Sequence, residues 1–125
     1  MYAAHQGGQA LRTIFTAPAV NYDRDGKPAS FWGLNGSASL HEKELVLTVV
    51  NPHVSAAREA KIGIRGASLK SGTATTLANS DIHAHNTFDQ REIVSPQSKT
   101  LDFQGGNLVY SFAPASVTKL TLALE

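Results

Sequence analysis

A chain of 125 residues, 42% hydrophobic and 17% charged, is large enough to close one core and too apolar to stay a disordered tail. Eleven Lys and Arg against ten Asp and Glu leave a formal charge of +1, and basic residues such as Arg12, Lys43, Arg91 and Lys119 are scattered, which excludes a nucleic-acid footprint. Cysteine is absent, which excludes disulfides and thiolate chemistry, and no apolar run approaches the roughly 20 residues of a membrane span.

The opening, Met1 to Gln6, is helix-like and stops at Gly7-Gly8. It lacks the basic, apolar, small-residue order of a signal peptide, and the compartment stays open. Residues 1–10 are therefore set apart as a lead, and residues 11–125 as one domain. Weak strands are expected over 11–16 and 31–40, with a turn over 22–28. Residues 44–50, Glu-Leu-Val-Leu-Thr-Val-Val, are apolar on both faces, as a strand covered twice in mid-sheet would be.

A turn over 51–56 follows. Ala60, Ile62 and Ile64 then alternate with Lys61, Gly63 and Arg65, the period of a strand with one wet face. A weak strand is expected at 72–77. Thr100-Leu101-Asp102-Phe103 and the alternating Leu108, Tyr110 and Phe112 flank Gln104-Gly105-Gly106-Asn107, a pattern that predicts a hairpin. After a turn at 113–115, Thr118, Leu120, Leu122 and Leu124 oppose Val117, Lys119, Thr121 and Ala123. About eight strands without a sustained helical stripe predict an all-β antiparallel sandwich of jelly-roll type.

Few residues point to chemistry. On an extended strand, Asp81, His83 and His85 would share one face within reach of a metal ion, yet no fourth ligand or supporting shell is identifiable and no metal is assigned. The ten carboxylates lie mostly in turns and at strand ends, with Asp89 and Glu92 nearest the histidines, and none has an apolar pocket sequence around it. Ser37, Ser39 and Ser116 lack a nucleophile elbow, and the glycine pairs carry no phosphate-loop ending. Asn35-Gly36-Ser37 matches a glycosylation triplet. Trp32, with Phe31 and Tyr22 nearby, is the candidate sugar contact, although a single tryptophan beside a strand more often serves as a core or interface anchor.

Three stretches, taken together, carry a family resemblance. Leu47-Thr48-Val49-Val50-Asn51-Pro52-His53, then Asp81-Ile82-His83-Ala84-His85-Asn86-Thr87-Phe88 with Val94-Ser95-Pro96, then Phe112-Ala113-Pro114-Ala115-Ser116-Val117-Thr118-Lys119-Leu120 resemble the carboxyl-terminal domain of family fifty-one α-L-arabinofuranosidases in order and spacing. The likeness covers about residues 31–125, and Met1-Tyr2 with His5-Gln6 resembles the end of the last barrel helix. It implies a non-catalytic sandwich that accompanies a (β/α)₈ barrel, on which two glutamates release terminal arabinofuranose with retention. The barrel and both glutamate motifs have no counterpart here, so no catalytic residue and no cofactor is assigned. In the family the sandwich also receives strand material from the start of the full-length chain. That implies an unpaired edge, covered either by self-association into a homo-oligomer or by an N-terminal segment folding back. The expected partners are the barrel and a second copy. His85, Asn86, Thr87 and Phe88 are the expected contact loop, Asn86 and Thr87 tying the backbone and Phe88 acting as an apolar plug for an interface or for the core. The alternative is a carbohydrate-binding module that grips arabinan or arabinoxylan through Trp32.

Overall fold

The computed structural model describes residues 1–103 and 107–125. Among the described residues ten strands form: β1 (Gln9–Leu11), β2 (Val20–Arg24), β3 (Lys27–Phe31), β4 (Asn35–His41), β5 (Glu44–Asn51), β6 (Arg58–Ile62), β7 (Leu69–Leu77), β8 (Gln97–Thr100), β9 (Leu108–Phe112) and β10 (Ser116–Leu124). One layer is a six-stranded sheet in the order β1-β4-β5-β10-β7-β8, and β6 pairs with β9 in a second, two-stranded sheet. All pairings are antiparallel.

Alternation decides which face is buried. Leu45, Leu47 and Val49 of β5 lie opposite Leu122, Leu120 and Thr118 of β10, and all six are buried. Leu108, Tyr110 and Phe112 of β9 close the same cluster from the second layer, so the structure is the sandwich that the periodicity predicts. Each fully buried leucine contributes about 2 kcal/mol to stability. A relay of hydroxyls crosses between the layers: Thr76 Oγ1 lies 3.1 Å from Thr118 Oγ1 and 3.2 Å from the Tyr110 hydroxyl.

The far face of β5 is buried as well. Val46 and Thr48 sit beneath the N-terminal lead, whose residues Tyr2–His5 form a single 3₁₀ turn. His5 holds the lead down, Nδ1 lying 2.7 Å from Ser39 Oγ and Nε2 2.8 Å from Thr48 Oγ1. Gly8 passes so near the His41 ring that a Cβ there would collide with it.

Asn51, wholly buried at the end of β5, ties the layers together. Its Nδ2 donates to the carbonyls of Ala56 (2.9 Å), Phe112 (3.1 Å) and Ala113 (3.0 Å), while its Oδ1 accepts the His53 N–H at 3.1 Å. The His53 ring continues the network, Nδ1 accepting the Ala56 N–H at 2.9 Å, and the His53 carbonyl accepts the Ala115 N–H at 2.9 Å.

Several local expectations are corrected. The turn expected over 22–28 is a hairpin: β2 pairs with β3 from Val20↔Phe31 to Arg24↔Lys27, and the reversal is confined to Asp25 (φ 53°) and Gly26 (φ 76°). Asp-Gly is the dipeptide that such a two-residue reversal favours. The strand expected over 11–16 ends at Leu11, paired with Ala38 of β4, and the chain beyond it leaves the sheet while Phe15 and Ala17 still pack on the core. That segment tucks in because the Pro18 carbonyl passes where a side chain on Gly33 would stand. The segments flanking residues 104–107 are not a paired hairpin, since β8 joins the six-stranded sheet and β9 pairs with β6. Gly105 and Gly106, expected in its turn, lie outside the described residues.

Asn51→Ala should lower unfolding stability by about 1–3 kcal/mol, the penalty for stranding buried carbonyls. Asn51→Asp should cost more at pH 7, where a carboxylate faces three carbonyls. Because only its protonated form can donate, that variant should regain stability as the pH falls toward about 4. Urea titrations at the two pH values check both outcomes.

Candidate functional site

The connection between β7 and β8 has little regular structure but is held by its own side chains. Asn79 Nδ2 donates to the Ile93 carbonyl (3.0 Å) and Asn79 Oδ1 accepts the Asp81 N–H (2.9 Å). Asn86 clasps Val94 from both ends of its amide, Nδ2 to the Val94 carbonyl at 2.9 Å and Oδ1 from the Val94 N–H at 2.7 Å. A smaller turn sits on this base. Thr87 Oγ1 accepts the Gln90 N–H at 3.0 Å, the Thr87 N–H donates to the Gln90 carbonyl at 2.9 Å, and Arg91 Nε donates to the Phe88 carbonyl at 3.2 Å.

These bonds fix the backbone on either side of Phe88, whose side chain is 93% exposed. The ring therefore takes no part in the core of this chain. Asn86 and Thr87 make the backbone ties expected of them, and His85 is exposed beside them, its Nδ1–H donating to the His83 carbonyl at 3.0 Å.

Asp81, His83 and His85 do not line up on a strand. The Asp81 carboxylate accepts the His83 N–H at 2.9 Å and the Asp81 carbonyl accepts the Ala84 N–H at 3.1 Å, which curls the backbone into a turn. Among the described residues no three His, Cys, Asp or Glu side chains converge as a metal-ligand set.

Trp32 follows β3 and is 71% exposed. With Phe31, Tyr2 and Pro52 it walls an open groove of about 470 Å³, to which Asn35 and Ser37 add polar groups. Tyr22 does not line the groove; it lies on the other strand of the hairpin, its ring 5.4 Å from that of Phe31. Tyr2 is the wall that local sequence cannot reveal, because it reaches Trp32 only through the docking of the lead by His5.

All ten carboxylates, from Asp23 to Glu125, are exposed. A glycosidase acid needs apolar surroundings that keep it protonated and a carboxylate partner roughly 5 Å away on a rigid scaffold, and these acids have solvent instead.

The family model described as the α-L-arabinofuranosidase C-terminal domain matches residues 1–116. Among solved structures, an α-L-arabinofuranosidase from Thermotoga maritima in complex with arabinose is 25% identical, with a TM-score of 0.79 over 99% of this chain and 27% of its own. A thermostable family 51 enzyme from Thermotoga petrophila is also 25% identical, with a TM-score of 0.78 over 95% of this chain and 26% of its own. A family 51 enzyme from Bifidobacterium longum, 21% identical over 96% of this chain and 24% of its own, has the same fold with a TM-score of 0.81. The chain thus spans about a quarter of the length of these enzymes. Comparison with curated protein sequences finds no match. The three quoted stretches, the sandwich and the match over residues 1–116 agree, and the chain belongs to the α-L-arabinofuranosidase C-terminal domain family.

Proposed function

We propose that the chain is the non-catalytic accessory sandwich of a retaining α-L-arabinofuranosidase, supporting a (β/α)₈ barrel that releases terminal α-L-arabinofuranosides from hemicellulose. The observation that carries this reading is the clasped loop that displays Phe88 at 93% exposure. Holding an aromatic ring rigidly in water brings a lone domain no stability, whereas it lowers the ordering cost of docking against another surface. His85, Asn86, Thr87 and Phe88 are the contact loop in this reading, with the barrel or a second copy of the enzyme as its partner. Exposure of every carboxylate supports a role without chemistry of its own.

The second sheet supports the same reading. Six strands face only two, and among the described residues neither outer edge of the β6–β9 pair has a strand partner. A strand from elsewhere in the parent enzyme would complete that layer, and a second copy would be the substitute in its absence. The turn at Tyr2–His5 is then the end of the last barrel helix, carried onto the sandwich by His5.

Two outcomes are expected. Purified chain should leave an aryl α-L-arabinofuranoside uncleaved, and should bind a family 51 barrel stripped of its own sandwich, raising that barrel's melting temperature. Phe88→Ala should weaken this association about tenfold or more while shifting the chain's own stability by less than about 0.5 kcal/mol. Asn86→Ala should weaken it too, with Phe88 intact, by loosening the loop. Unchanged association in the Phe88→Ala variant would remove the loop from the interface, and saturable hydrolysis by the chain would end the accessory reading.

A further inference from the structure

We propose that the groove between Tyr2, Phe31 and Trp32 is a binding site for neutral pentose oligosaccharides, separate from the Phe88 loop. Its walls are aromatic. Three aromatic rings, each at least 40% exposed, come together from positions about thirty residues apart in sequence, so the lead and the β3–β4 junction build the groove jointly. Aromatic faces are electron-rich and poorly hydrated. The C–H bonds on one face of a sugar ring carry partial positive charge, and stacking them on such a face loses few hydrogen bonds to water.

The second component is polar and uncharged. Asn35 and Ser37 stand on the same groove. Asn35 spends its Oδ1 on the Gly36 N–H at 2.8 Å, which leaves its Nδ2 donors without a partner among the described residues. The Ser37 hydroxyl likewise has none there. An amide donor and a hydroxyl beside stacked rings provide the few orienting contacts that a small-molecule site needs, and they suit the hydroxyls of a sugar.

Charge narrows the ligand. Among the described residues no acidic or basic side chain lines the groove, so phosphates, acidic peptides and uronic acids have no counter-charge, whereas a neutral saccharide needs none. The groove is open rather than enclosed and about 470 Å³ in volume, so it does not restrict the ligand to a single buried sugar. Arabinan side chains and the xylan backbone both offer this chemistry. The choice of pentoses rests on the proposed parent activity, and the groove's fitness for a neutral saccharide does not.

The chain has one tryptophan, so indole emission reports on this groove alone. Arabinotriose and xylotriose are titrated separately, to about 10 mM, with calorimetry in parallel. The site predicts a saturable blue shift with at least one trisaccharide and a Kd of about 0.1–1 mM. Calorimetry on Trp32→Ala should show binding lost, and on Asn35→Ala binding weakened at least threefold, both variants keeping the parent melting temperature. Flat responses to both sugars overturn the proposal, as does binding that survives Trp32→Ala. The third arm places Trp32→Ala in a whole family 51 enzyme containing this sandwich. Reduced retention on insoluble arabinan or xylan with unchanged cleavage of an aryl arabinoside supports the site. A fall in the enzyme's melting temperature with unchanged retention would instead make the groove a seat for protein and sink the proposal. None of these readouts depends on Phe88, so the accessory role and the groove fail independently.

Discussion

A buried amide with nowhere else to bond is the constraint on which this sandwich depends. Asn51 donates to three carbonyls, two of them where β9 ends and one in the loop leading to β6. Phe112 is the last residue of the β6–β9 ladder, Ala113 follows it, and Ala56 lies in the loop before β6. A side chain of one length and polarity satisfies them together, and in doing so it fixes where β5 leaves the first layer and where β9 leaves the second. Leucines supply most of the cohesive energy, but they would tolerate a slide of one layer over the other more readily than this amide does.

With the layers locked, the molecule shows two unlike surfaces. On one, side chains of the β7–β8 connection bind their own backbone and leave Phe88 without neighbours. On the other, the lead and the β3–β4 junction bring rings that are distant in sequence to one groove. The first has the character of a contact formed in advance, the second of a shallow platform. The difference in strand number between the sheets adds a third incomplete feature, and all three are intelligible in a domain that works attached to something larger.

Periodicity made much of this legible before any coordinates. Leu120 and Leu122, Ile62 and Ile64, and the doubly apolar stretch from Leu45 to Val49 face where a period of two requires. Partnership was less visible. Leu101 and Phe103 precede Leu108 and Tyr110 across two glycines and look like halves of a hairpin, but which sheet each joins is decided by β7 and β6, far away in sequence. The β2–β3 arm was hidden by its own composition: Asp23, Arg24, Asp25, Gly26, Lys27 and Pro28 look like one long turn, although only Asp25 and Gly26 reverse the chain. The backbone ties of the β7–β8 connection were legible because Asn86 and Thr87 act locally. Most of the groove was not, because the approach of Tyr2 depends on a histidine hydrogen-bonded to hydroxyls on two other strands.

The position of β10 has a consequence for how the molecule assembles. It lies between β5 and β7, pairing Ser116 with Asn51 and Val117 with Leu77, so the middle of the larger sheet is filled by one of the last segments in sequence. Until it arrives, β5 and β7 each expose an unpaired edge, and β5 is apolar on both sides. Closure spans dozens of residues and should be slow, with a vulnerable period in which those edges can capture another chain instead. The finished sheet meets solvent with β1, three residues long, and β8, exposed throughout and carrying Lys99, both poor templates for aggregation. For the larger sheet the hazard thus belongs to the nascent molecule and ends once its keystone strand is seated.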